Sequence, residues 1–380
     1  MADTVIFGNT VIWRQFRHLT LKNDEEPSSQ AMTNAPRTLS INRRALLGGF
    51  AGALVAPRHG FAATAPDATG RTITAPDRVT RVYPAGPPAA VLLYTLAPDL
   101  LIGWLEPLGA AEREFLLPEV AARPQVPRLT GRGGAINLEA VNSLKPDLIV
   151  DAGTVNASFK ALAETTQQQT GIPYALFDGR FEQIVPTYRA LGELVGRAEA
   201  AEKLARYAEG TMTTVKERSA AAPSSARPRV YYARDKSGLQ TGLGGSMIAE
   251  AIEFIGAPNV AAELHGAHGT VTLEQVRAWN PEIIITSDRE FAANVRSDAG
   301  WAEIAAVKAG RIFASPRQPF GWVDFPPAVN RLIGLWWLGK IFYPERFPED
   351  IKTLARDFYT LFYHVTPTAA QIERVLAGSD

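Results

Sequence analysis

The groups able to do chemistry sit in short glycine-rich or proline-rich stretches. Arg234 closes the apolar run VYYAR, residues 230–234. A guanidinium at the carboxyl end of a strand suits an anionic ligand: a carboxylate, a catecholate shell or an oxyanion. The other reading is a surface pair with Asp235. In GLGGS, residues 242–246, the amides around Gly245 and the Ser246 hydroxyl can meet a negative group at a helix start, or Ser246 is an ordinary cap. TGRGG, residues 130–134, puts Arg132 on a second glycine-rich loop. Neither cluster carries the Lys-Ser/Thr tail of a phosphate loop. His265 and His268, three apart in ELHGAHGT, can reach one metal as neutral imidazoles, or are solvated loop residues. Trp322, among Gly and Pro in PFGWVDFPP, offers an aromatic wall to a flat chelate, or packs beneath its loop. Tyr83 and Tyr232, near strand ends, are candidates of the same kind. His364 reads as structural.

Other chemistries are excluded. The 380-residue chain has no cysteine, which removes disulfides, thiol catalysis, iron–sulfur clusters and a cysteine-borne lipid anchor. Lys+Arg and Asp+Glu both count 39, so no global field points to nucleic acid or an anionic membrane. There is no Ser-His-Asp elbow, metalloprotease motif or dinucleotide fingerprint. The expectation is a binding protein without a resident cofactor. A periplasmic enzyme on a two-lobed scaffold is the alternative from another class.

Elements that position these groups follow from periodicity. LEAVNSLKPDLIV (138–150) and LEQVRAWNPEIII (273–285) share five of thirteen residues at an offset of 135. Each reads as a helix stopped near a proline that feeds a wholly apolar strand, as in a parallel sheet covered on both faces. The strands run out into Asp151-Ala-Gly-Thr and Thr286-Ser287-Asp. Ligands of open α/β sheets bind beyond such carboxyl ends, so Asp151 and Ser287 are expected to face one cleft. Further strands are expected at 71–74, 81–83, 101–105, 174–177, 229–233 and 311–314. Helices are expected at 88–96, 158–169, 184–194, 246–255, 328–342, 350–362 and 369–376. Gly196–Arg218, rich in Ala, Glu, Lys and Arg, reads as one helix about 30 Å long. The fold class is α/β, with two lobes of mainly parallel sheet flanked by helices and joined by one long helix. Boundaries fall at 1–62 (extension and export signal), 63–195, 196–222 and 223–380. Arg43-Arg44 before the apolar run Ala45–Ala56, with Gly60-Phe61-Ala62 as cleavage signature, resembles a twin-arginine export signal. A general secretory signal is the alternative, and the start is Met1 or Met32.

GRTITAPDRVTRV (70–82), NLEAVNSLKPDLIV (137–150), VYYARDKSGLQTGLGGSMIAE (230–250) and ASPRQPFGWVDFPPAVNRLIGLWWL (314–338) resemble the periplasmic substrate-binding proteins of ABC importers for iron complexes, the group that includes ferric-siderophore, haem and vitamin B12 binders. The resemblance runs over residues 68–378. It implies a class III fold with modest lobe closure and a cleft lined near Trp322. It also implies a soluble periplasmic monomer delivering a small-molecule metal chelate, such as an iron–siderophore, to an ABC permease and its ATPase. Molybdate, tungstate, a nickel complex or haem are the alternative ligands. Family members meet the permease through an acid on each lobe, for which Glu112 or Glu114 and Glu250 or Glu253 are the candidates here.

Replacing Arg43 and Arg44 together by Lys is expected to hold the precursor in the cytoplasm, read by cell fractionation. Normal periplasmic accumulation of the double variant would assign the general secretory route.

Overall fold

A parallel strand must be covered on both faces, and two segments of the chain are apolar enough to be covered so. The computed structural model describes residues 62–130 and 137–377. Arg132 and the export-signal reading up to Phe61 lie outside the described residues. β1 (Thr64–Pro66) and β2 (Thr72–Thr74) form an antiparallel pair. β3 (Val82–Pro84), β4 (Leu148–Gly153) and β5 (Tyr174–Asp178) make a parallel sheet in the order β3-β4-β5. β6 (Val230–Ala233) begins the second half. β7 (Gln240–Gly242) and β8 (His268–Thr270) pair antiparallel beside it. β9 (Ile283–Thr286) is central between β6 and β10 (Ile312–Ala314) in a second parallel sheet.

Both copies of the repeat thus deliver the middle strand of a three-stranded parallel sheet. Their helices, Leu138–Ser143 and Leu273–Trp279, start alike. The Asn137 side chain accepts the Ala140 N–H, and Thr272 forms a capping box with Gln275. They also stop alike: Lys145 (φ 47°) and Asn280 (φ 44°), at the repeat offset, are both left-handed just before a proline. β9 is fully buried, as is β4 up to its last residue.

The helix Ala198–Ala220 runs 23 residues. It buries Ala201, Leu204, Ala205, Ala208, Thr211, Val215 and Ser219, a stripe at helical spacing. One side packs on the helix Ile184–Leu194 of the first half, where a Cβ on Gly192 would lie 2.3 Å from the Ala201 Cβ. The other packs on the helix Arg331–Phe342 of the second, where Trp336 Nε1 donates to Thr211 Oγ1 at 3.3 Å. All described residues belong to one compact unit, and no helix among them is long and apolar enough to cross a membrane.

Two expected elements differ. Residues 101–105 make only isolated bridges, Val82–Leu101 and Trp104–Gln125, because Gly103 packs against the Pro124 carbonyl, which the Trp104 N–H also occupies. The helix expected at 246–255 forms only over Glu250–Phe254, since Ser246 ties its hydroxyl back to the Leu243 carbonyl in a turn.

Trp322 is wholly buried, and a Cβ on Gly334 would stand 1.8 Å from its carbonyl oxygen. Gly334→Ala is therefore expected to cost about 1–3 kcal/mol or more of stability through overpacking, measured by urea unfolding. A neutral result would remove that contact from the native core.

Candidate functional site

Beyond the carboxyl ends of the first sheet lies a cavity of about 320 Å³. From the first half come Pro87 and Pro88, Thr130, Asp151 to Thr154, Phe159 and Arg180; from the second come Gly245 to Ile248, Gly266, Ala267 and Pro327. Both α/β halves contribute to its lining. Its volume is at the small end of the ~300–1,000 Å³ range of ligand pockets.

Asp151 lies at the end of β4 and is 3% exposed. Its Oδ1 accepts the Thr130 hydroxyl at 3.0 Å and the Ala152 N–H at 2.9 Å. Its Oδ2 accepts the Tyr174 hydroxyl at 3.1 Å. Burial nevertheless pushes the carboxyl up from 3.8 to about 6, against the lowering pull of those three donors. Arg180 follows β5 and is exposed, and its guanidinium has no ion pair or hydrogen bond among the described residues. The adjacent Asp178 uses its Oδ1 to accept the Arg180 backbone N–H at 3.0 Å. Across the cavity the Gly245–Ile248 turn is left-handed at Gly245 (φ 68°), whose N–H is held 3.2 Å from Glu253 Oε2. The N–H groups of Met247 and Ile248 make no hydrogen bond among the described residues. A guanidinium without a partner among the described residues and two open amides, set against apolar walls, can hold a small anion.

Of the residues singled out in the sequence, Asp151, Gly245 and Ser246 line this cavity. Arg132 lies outside the described residues; the remaining candidates fall outside the lining, each for a physical cause. Arg234 is spent inside the protein: Nε and Nη2 bond Asp324 Oδ2 at 2.7 and 2.6 Å, Nη1 bonds Gln240 at 2.9 Å, and the Phe325 ring covers it at 4.7 Å. Trp322 is core, its indole N–H 3.3 Å from the Tyr359 hydroxyl, and supplies no cleft wall. Tyr83 and Tyr232 are fully buried in their strands, with the Tyr83 hydroxyl donating to the Pro127 carbonyl. Ser287 is 5% exposed and donates to the Arg234 carbonyl at 3.1 Å, outside the cavity lining. His265 and His268 flank the lining pair Gly266-Ala267 without lining it themselves, and no group of three potential metal ligands exists among the described residues.

The docking acids also differ from expectation. Glu250 bonds Arg331 at 2.7 Å and the Phe181 N–H at 3.0 Å. Glu253 holds Gly245 and, at 3.2 Å, Asn259. Glu250 is neutralised by Arg331, and Glu253 is tied to neutral donors of its own half. Glu114 is exposed but pairs with Arg374, which with Gln371 holds its carboxyl below the usual range. Glu112, in the Ala110–Arg113 turn, is half-buried and has no ion pair among the described residues.

Arg180, Phe159 and Met247 were not read from the sequence. The signal that drew attention to Arg234, an arginine just past a strand, is present equally in YALFDGR (174–180).

Fold and cleft define a two-halved binding protein with a helical tether. The profile of the family described as periplasmic binding protein matches residues 110–319, more than half the chain, and the chain belongs to that family. Its fold is class III. The solved ABC transporter solute-binding protein from Sulfurospirillum deleyianum superposes with a TM-score of 0.76 at 27% identity, over 83% of this chain and 99% of that one. The molybdate-binding protein MolA of Haemophilus influenzae is 27% identical over 267 residues, 63% of this chain and 73% of its own. A vitamin B12-binding protein of Vibrio cholerae is 25% identical over 182 residues, 47% of this chain and 63% of its own. These relatives are transport binding proteins, and this chain is a substrate-binding protein of an ABC transporter, not an enzyme.

A carboxyl whose folded value is raised stabilises the fold relatively below its unfolded value and loses that contribution as pH climbs through the folded one. For Asp151 the window is between 3.8 and about 6. Relative to Asp151→Asn, the native protein should lose on the order of 3 kcal/mol across it, followed by urea unfolding at successive pH values. Parallel curves for the two proteins would show that folding does not raise the Asp151 carboxyl.

Proposed function

We propose that the cavity takes a small oxyanion of the molybdate or tungstate kind and that the protein delivers it to an ABC permease. The observation that carries this reading is the Arg180 guanidinium, unpaired among the described residues, in the same lining as the Thr154 hydroxyl and the open amides of Met247 and Ile248. A tetrahedral oxyanion takes several short charge-assisted hydrogen bonds from such donors. The likeness to a molybdate-binding protein supports it. A corrinoid or porphyrin would want a larger cavity and a flat aromatic wall, and Trp322 is withdrawn into the core.

A second reading is a compact anionic iron chelate. Pro87, Pro88, Phe159, Met247, Ile248 and Pro327 give the cavity apolar walls that suit the organic rim of a chelator. Export through the paired arginines to the periplasm belongs to both readings.

A ligand that binds only the folded state at a hundred times its Kd stabilises it by about 2.7 kcal/mol, a rise of about 5 °C in Tm for a protein of this size. A thermal-shift panel of molybdate, tungstate, ferric catecholates, ferric hydroxamates and ferric citrate is expected to give that rise with the oxyanions. Arg180→Ala should abolish it, whereas Phe159→Ala should weaken a chelate and spare an oxyanion. A shift with molybdate that survives Arg180→Ala would place the anion elsewhere.

A further inference from the structure

Arg331 opens the helix Arg331–Phe342 and is fully buried, although it carries a charge. Its Nη2 donates to the Gly179 carbonyl of the first half at 2.7 Å. Its Nη1 donates to the Met247 carbonyl at 2.8 Å and to Glu250 Oε2 at 2.7 Å, both in the second half. Its Nε holds the Ala328 carbonyl at 3.1 Å, next to the cavity residue Pro327. The guanidinium lies 4.5 Å from the Phe181 ring centroid, and Glu250 Oε1 accepts the Phe181 N–H at 3.0 Å.

Gly179 and Phe181 are the two chain neighbours of Arg180. One is held by Arg331 and the other by Glu250, both from the opposite half. The same guanidinium holds Met247, on the facing rim of the cavity. Gly179 leaves room for the approach: a Cβ there would stand 2.4 Å from Met247 Cε. We infer that the Arg331–Glu250 pair is a positioning clamp across the cleft, fixing Arg180 and the Gly245–Ile248 turn at one separation, so that the ligand site is preformed before any ligand arrives. This rests on the reading of the cavity as the ligand site, but the clamp acts on the empty protein and is testable there.

The chain has no cysteine, so Thr165→Cys and Glu290→Cys, both on exposed positions and one in each half, give a single pair of spin-label sites. In the ligand-free native protein the inter-label distance should be one narrow distribution, unchanged by 1 mM molybdate. Arg331→Met with Glu250→Met removes both charges together, a replacement that buried pairs tolerate better than loss of one partner. Its distribution should broaden while its circular dichroism stays native. If the unclamped cleft is competent about one-tenth of the time, its molybdate Kd rises about tenfold. Should that variant not fold, Arg331→Lys is read in the same way: it keeps the charge against Glu250 but cannot span both the Gly179 and Met247 carbonyls. A folded variant with the native distance distribution overturns the clamp, whether or not molybdate binds. A broadened distribution in the variant, with no molybdate binding by the native protein, upholds the clamp and sinks only the choice of anion.

Discussion

A guanidinium buried without water must be surrounded by acceptors or it will not stay buried. Arg331 meets that demand with three carbonyls and a carboxylate drawn from Gly179, Met247, Ala328 and Glu250. No two of these neighbour one another in sequence except Met247 and Glu250, three residues apart. Removing one partner of such a pair costs about 3–5 kcal/mol, so the strand-end turn of one half and the cavity turn of the other are tied to a common point. The long helix Ala198–Ala220 adds a second tie, since its buried stripe packs on helices of both halves. Two halves tied by a buried ion pair and by a shared helix have little freedom to close on each other, and affinity must come from groups already in place.

Much of the fold was legible because it rests on periodicity. The helix–proline–strand device named both central strands, and its two copies share even the left-handed residue before proline, Lys145 and Asn280. The long helix was legible from composition, although it starts at Ala198 rather than Gly196. The short pair β7–β8 was not, because strands of three residues carry too few side chains to show alternation. The segment 101–105 read as a strand because Leu, Ile and Trp are strand formers, but extended backbone becomes a ladder only where a neighbour supplies successive partners.

Less of the site was legible. Aromatic residues in Gly- and Pro-rich loops suggest a cleft wall, yet Trp322 went inward because Gly334 lets the helix behind it approach closely. Glu250 was a candidate for an exposed docking acid, and only the tertiary placement of Arg331 made it internal. Each of these outcomes depends on a residue at least 12 positions away, beyond what local pattern can reach.

Two arginines past strand ends make the point most sharply. Each has an aspartate close by in sequence, and in neither case does that aspartate neutralise it. Asp235 spends its carboxylate on the Ser237 hydroxyl and the Gln240 N–H, and Asp178 accepts the backbone N–H of Arg180. Short-range acids after a strand are drawn to backbone amides in the turn, which lie nearer than a guanidinium on a long stem. What separates the two arginines is a partner from far along the chain. Asp324, 90 residues on, reaches Arg234 and closes it off. No acid among the described residues reaches Arg180, whose two flanking residues are pinned to the other half. A guanidinium held beside a cavity, with its own carboxylate neighbour turned away, is a charge that solvent or a bound anion must complete.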